Sequence, residues 1–195
     1  MKFVSLKKWQ IVRYSAIVIA TVFLSILFSN GINESSWRMA IRFTARSSCI
    51  LFLLAFIASS LHKIKTSSFS QWLVANRRYL GLSMAVSHGF HAIAIAGLAI
   101  SISENMVRDN HGANLGYGFI ILMTITSFPG TISILSKRGW KILHTVGMYY
   151  LWLSFTVAFS EKLAESWLLY FPFVFALILG LILRFLPTIK NKLVR

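Results

Sequence analysis

The sequence predicts an all-α fold: a polytopic membrane protein built as a six-helix transmembrane bundle with both termini cytoplasmic. Three observations carry that prediction. Of 195 residues, 56% are hydrophobic and only 13% charged, whereas a soluble domain is about half apolar and about a quarter charged. Six stretches (14–33, 47–62, 79–103, 110–136, 142–160 and 166–183) contain no Lys, Arg, Asp or Glu. The charges that remain are sorted by loop. Sixteen Phe and six Trp against three Pro argue against a disordered chain.

Each charge-free stretch approaches the roughly 17–25 residues that a helix needs to cross a hydrocarbon core of about 30 Å. Lipid offers no partner to backbone N–H and C=O groups, so such runs are expected to be helices. A β-barrel would alternate apolar and polar residues in shorter segments, and these runs do not alternate. The expected spans are about 11–29, 41–61, 79–102, 116–135, 142–160 and 167–186. The second starts outside its charge-free run, taking Arg42 and Arg46 into its first turns. The first could be mistaken for a signal peptide, but no convincing small-x-small site precedes Asn30, so an uncleaved helix is expected. Cys49 is the single cysteine, which leaves no intrachain disulfide and no thiolate metal cluster. No Gly-rich phosphate loop, internal repeat or soluble domain is apparent.

Topology follows from the charges. Lys2, Lys7, Lys8 and Arg13 lie at the N-terminal end, and Lys63, Lys65, Arg77 and Arg78 lie between the second and third spans. Lys137, Arg138 and Lys141 lie between the fourth and fifth, and Arg184, Lys190, Lys192 and Arg195 close the chain. None of these segments holds an acid. The opposite side carries Arg38, Arg42, Arg46, Arg108 and Lys162 with all five acids, Glu34, Glu104, Asp109, Glu161 and Glu165. Lys/Arg bias in short loops sets orientation, so the basic segments are cytoplasmic and the whole net charge of +15 lies on that side. A pI near 10.6 is the footprint of nucleic-acid binding when the charges share a solvated face. Here they mark loops, so no nucleic-acid partner is expected and the partner is membrane lipid.

An ionisable residue inside a bilayer is a functional-site hypothesis by default. Three histidines qualify: His88 and His91 in the third span and His144 early in the fifth. His88 and His91 stand three residues apart on one helix face. Neutral imidazole is a ligand for haem iron and other metals. Two neighbours on one helix cannot take opposite axial positions of one haem, so a six-coordinate iron needs a ligand from another helix, and His144 is the other buried candidate. By helical rise, His91 lies about 20 Å from Arg78 but His144 only about 5 Å from Lys141, a depth difference of roughly 15 Å. The competing reading for each is a structural histidine bonded to a hydroxyl or carbonyl.

Arg38, Arg42 and Arg46 fall at i, i+4 and i+8, which stacks three guanidinium groups on one helix face. Such a stripe could hold haem propionates or another anion, with Arg46 the deepest. The alternative is snorkelling to headgroups or pairing with Glu34, Glu104 and Asp109. Arg77 and Arg78 could meet a cytoplasmic-side propionate or serve only as positive-inside anchors. Trp9, Trp37, Trp72, Trp140 and Trp167 fall near expected interfaces, as an aromatic belt would place them.

Two segments carry a family resemblance. Asn76-Arg77-Arg78-Tyr79-Leu80-Gly81-Leu82, with His91 ten residues after Gly81, resembles the third helix of the ferric reductase-like transmembrane domain superfamily. Within it, the similarity is to the haem-binding membrane subunits of the bacterial methionine sulfoxide reductase system. Trp140-Lys141-Ile142-Leu143-His144 resembles the Trp-x-x-Leu-His start of their fifth helix. The resemblance implies a b-type haem electron carrier, one or two haems, supplied by a quinol or flavin-containing electron donor. By motif position His91 and His144 inherit candidate ligand roles. The relatives carry a second fifth-helix histidine about thirteen residues after the first, where this chain has Val157. His88 is an addition that could compensate. The chain has no cytoplasmic flavin or nicotinamide domain, so it is not expected to oxidise NADPH by itself.

The leading expectation is therefore a haem-b subunit of a transmembrane oxidoreductase. It would sit in a cell membrane, by the resemblance a bacterial inner membrane, and relay electrons to an outer-side redox partner. Candidate cofactor-binding residues are His91, His144, His88, Arg46 and Arg77, the histidines as iron ligands. The alternative is a haem-free structural or partner-binding membrane protein of the same fold. A transporter, or a non-haem metal site on the three histidines, completes the set; the former is disfavoured by the lack of intramembrane Asp or Glu.

Overall fold

A computed structural model describes residues 6–102, 111–128, 130–131 and 135–193. Glu104, Arg108 and Asp109 of the expected outer loop, and Lys2 and Arg195 near the termini, lie outside the described residues. The described residues form six α-helices and no strand: α1 (Trp9–Asn30), α2 (Glu34–Ile64), α3 (Ser68–Ile102), α4 (His111–Ile125), α5 (Lys137–Glu161) and α6 (Trp167–Leu193). The protein is all-helical, and five of these helices are long and apolar enough to cross a membrane. Their outer faces carry exposed large apolar side chains such as Phe28, Ile100 and Leu168, as a lipid solvent requires.

Helix α4 departs from expectation. The apolar run predicts a span to about 135, but the helix stops at Ile125 after 15 residues, about 22 Å and short of the hydrocarbon core. Ser127 N–H bonds Thr124 O and Phe128 N–H bonds Ile125 O, so the chain tightens to i→i−3 spacing. Pro129 follows in the sequence, and proline disfavours the helical region for the residue before it. The Thr131 hydroxyl then donates to Ile125 O, capping the end.

Helices α2 and α3 exceed their expected spans in the other direction, starting at Glu34 and Ser68 rather than about 41 and 79. Local capping explains both starts. Asn33 Oδ1 accepts from Ser36 N–H at 3.0 Å, satisfying an orphan donor of the first turn. Ser67 and Ser70 exchange hydrogen bonds, each hydroxyl accepting from the other's backbone N–H at 3.2 and 2.9 Å, a reciprocal box. Between α1 and α2 the chain reverses at Gly31, whose φ of 76° lies where only glycine is unstrained.

Two compact units divide the chain: Met1–Phe52 with Arg78–His111, and Leu53–Arg77 with Gly112–Arg195. In the first, Phe23, Ala40 and Ala94 form the buried centre, covered by Ile26, Leu27, Trp37, Ile41 and Phe90. Small residues permit close approach: a Cβ on Gly97 would stand 2.5 Å from the Trp37 ring. Tight packing around small residues is what holds helices together where lipid removes the hydrophobic driving force.

In the second unit, Gly180 of α6 lies under Leu53 and Ile57 of α2, where an added Cβ would come within 3.2–3.3 Å. Trp152 of α5 donates its indole N–H to Leu177 O of α6 at 2.9 Å. Phe159 stacks on Phe155 and Phe173. Tyr150 OH donates to Gly112 O at 2.7 Å, tying α5 to the start of α4.

Candidate functional site

The first unit gathers polar side chains along the seam between α2 and α3. Thr44, Ser47, Ser87 and His91 face one another there. Ser47 Oγ and Ser87 Oγ are 2.8 Å apart, and Ser87 Oγ donates to Thr44 O at 3.2 Å. Thr44 Oγ1 lies 3.0 Å from His91 Nδ1.

The geometry assigns the proton in that last contact. Thr44 Oγ1 stands 2.7 Å from Ala40 O, one turn back, and a carbonyl can only accept. With the hydroxyl proton on Ala40 O, Thr44 Oγ1 is the acceptor and His91 Nδ1–H the donor. A histidine held in this tautomer presents Nε2 with a lone pair, the form that ligates iron. Thr44 is fully buried, so no water competes for the bond. His91 itself is half-buried.

His88 shares the face, its ring centroid 5.1 Å from that of His91 and tilted by 40°. This proximity confirms the i, i+3 reading and places both imidazoles on one side. Arg38, Arg42 and Arg46 separate by depth. Arg38 is exposed and bonds Glu34 at 2.7 Å, and Glu34 is the one described acid of that unit. Arg42 is exposed, whereas Arg46 is half-buried.

In the second unit His144 has a different setting. Its Nε2 lies 3.0 Å from Thr126 Oγ1, and that hydroxyl donates to Leu122 O at 2.7 Å. By the same logic Nε2–H is the donor, so the nitrogen best placed to reach out from a helix is already engaged. Trp140 covers the ring, with centroids 4.1 Å apart, and its indole N–H bonds Thr126 O at 3.1 Å. His144 is thus built into the turn that ends α4. Trp140, expected as a belt residue, is part of the same staple. Val157 is about half exposed (49%), and its neighbour Phe159 fills the core instead.

Arg77 turns onto α2. Its Nε donates to Ala55 O at 3.0 Å and Nη1 to Ser59 Oγ at 3.3 Å. Arg184, counted in the sequence among the basic residues that close the chain, donates from Nη1 to the next carbonyl, Phe56 O, at 2.8 Å. Cys49 is buried and free. Among the described residues no three His, Cys, Asp or Glu side chains come together as a metal-holding group.

The residues that sequence reasoning missed are Thr44, Thr126, Ser87 and Arg184. Only their polarity inside apolar runs could have marked them. No protein-family model matches the chain, and no curated protein or solved structure matches it.

Proposed function

We propose that this chain is a haem-b membrane subunit that relays electrons toward an acceptor on the outer side of a cell membrane, by resemblance a bacterial inner membrane. The observation that carries the reading is His91, with Nδ1–H donated to Thr44 and Nε2 left as a ligand nitrogen. Such a residue pattern suits one axial position of a haem iron. Haem b, when bound, would supply one-electron redox chemistry. His91 would bind and orient it, and Thr44 would hold the ring in the binding tautomer. His88 lines the same side, and Arg46 is the described guanidinium of that unit best placed by depth for a propionate. Arg77 already gives two of its donors to α2. A quinol or flavin-bearing partner would be the electron source.

The test is spectroscopic. Full-length protein expressed with ample haem supply and purified in detergent should give a b-type reduced-minus-oxidised spectrum and a pyridine haemochrome. His91→Ala should lose most of the haem. A haem-free wild-type preparation, or full haem retention in His91→Ala, would reject the reading.

A second reading, a haem-free structural or partner-binding protein, is favoured by two specific observations. His144 Nε2 is engaged by Thr126, and Val157 stands half exposed where the resemblance expects a histidine. Normal assembly of the His88, His91 and His144 triple alanine variant, with no haem in the wild type, would decide for it.

A further inference from the structure

Arg77 and Arg184 meet in the second unit without a carboxylate between them. They donate to consecutive carbonyls of α2, Ala55 O and Phe56 O, and lie close enough for their charges to repel. Arg184 is also clamped between rings, 4.4 Å from the Phe56 centroid and 4.9 Å from that of Tyr149. Its Nε donates to Tyr149 OH at 3.2 Å. Five donors belong to each guanidinium. Nε and Nη1 of both are used, and neither Nη2 bonds any of the described residues.

Two like charges fixed side by side call for an anion. The described acids of this unit are Glu161, which ends α5 twelve residues after Tyr149, and Glu165 beyond it, which already pairs with Lys162. By the loop charges, the side that carries Arg77 and Arg184 has no acid in its sequence. The counter-charge therefore has to come from outside the chain. Depth identifies its source. Arg184 directly follows the charge-free run 166–183, and Arg77 stands two residues before the run 79–103. Both therefore stand at the cytoplasmic ends of their expected apolar runs, the ends nearest the lipid phosphates. Ile182, Phe185 and Leu186 beside Arg184 are exposed and offer an apolar seat for acyl chains. Arginine's planar fork suits a phosphate.

We propose that Arg77 and Arg184 form a binding site for the phosphate of an anionic phospholipid in the cytoplasmic leaflet. The site needs no haem and stands independently of the redox reading.

Native mass spectrometry of the detergent-purified full chain tests it, with dioleoyl phosphatidylglycerol titrated against dioleoyl phosphatidylcholine and against inorganic phosphate. Phosphatidylglycerol should bind selectively. At roughly 1 kcal/mol per basic residue near the surface, Arg184→Gln should weaken it about five-fold and the Arg77→Gln/Arg184→Gln pair about thirty-fold. The Lys7→Gln/Arg13→Gln control removes the same charge from the same side and should change affinity less than two-fold. If the double Gln variant fails to fold, Arg77→Lys/Arg184→Lys keeps the charge but loses the fork, and should bind several-fold more weakly than wild type. Equal binding of the two lipids, an equal loss in the control pair, wild-type affinity in the Lys pair, or inorganic phosphate binding as tightly as the lipid would each overturn the proposal.

Discussion

Thr44→Val is the sharpest perturbation of the candidate haem site. Valine keeps the branched shape at a position with no exposure and removes one hydroxyl. Three contacts go with it: the 3.0 Å bond from His91 Nδ1 and the hydroxyl's contacts to Ala40 O at 2.7 Å and Ile41 O at 3.2 Å. Ala40 O keeps its helical partner, so the loss falls on His91. Interhelical hydrogen bonds inside membranes average about 0.6 kcal/mol and reach about 1.7, which sets the expected cost to the fold. Removing a partner that orients a ligating histidine typically costs 10–100-fold in affinity, about 1.4–2.7 kcal/mol. The second effect is the larger, so Thr44→Val should lose haem before it loses structure. Haem titration followed at the Soret band, with thermal unfolding by circular dichroism on the same sample, separates the two. A tautomer readout independent of haem is the nitrogen-15 spectrum of histidine-labelled protein. His91 should be Nδ1-protonated in the wild type and exchange between its nitrogens in the variant. Haem affinity within about two-fold of wild type together with an unchanged tautomer would refute the assignment of Thr44 as the residue that positions His91.

His144→Ala should retain at least half of the haem while lowering thermal stability, because its Nε2 serves Thr126 rather than an iron; haem stoichiometry after purification checks this, and complete loss would restore His144 as an axial ligand. Gly97→Ala forces a Cβ into the rigid Trp37 ring at 2.5 Å and should destabilise by about 1–3 kcal/mol, measured by denaturant titration in micelles. Gly147→Ala meets the flexible Met123 thioether and Phe119, so its cost should be smaller than that of Gly97→Ala in the same assay; the reverse order would show that the Met123 side chain cannot move aside. Trp152→Phe removes the donor to Leu177 O and should weaken α5–α6 packing by about 0.6 kcal/mol, read as a lowered midpoint with unchanged helical content.

Where helices lie was legible because lipid permits few solutions: the charge-free runs that begin at Tyr14, Tyr79 and Ile142 all start inside helices. The ends were less so, for two opposite reasons. The charge-free run persists past Ile125 to Ser136, yet α4 stops short of Pro129, and a count of charges does not register a missing N–H. Conversely Ser67 and Asn33 start helices in polar sequence, where capping bonds rather than apolarity decide the boundary. The chemistry follows the same division. His88, His91 and His144 stand out in the sequence because imidazoles are rare in such runs. What separates His91 from His144 is the oxygen each one faces. Thr44 lies 47 residues from His91 and Thr126 lies 18 from His144, and both threonines look ordinary in an apolar helix. One bonds Nδ1 and leaves the lone pair on Nε2; the other bonds Nε2 and turns the histidine into a staple. On the proposed haem reading the ligand role belongs to the pair, His91 with Thr44, and mutating either member should move the same observable.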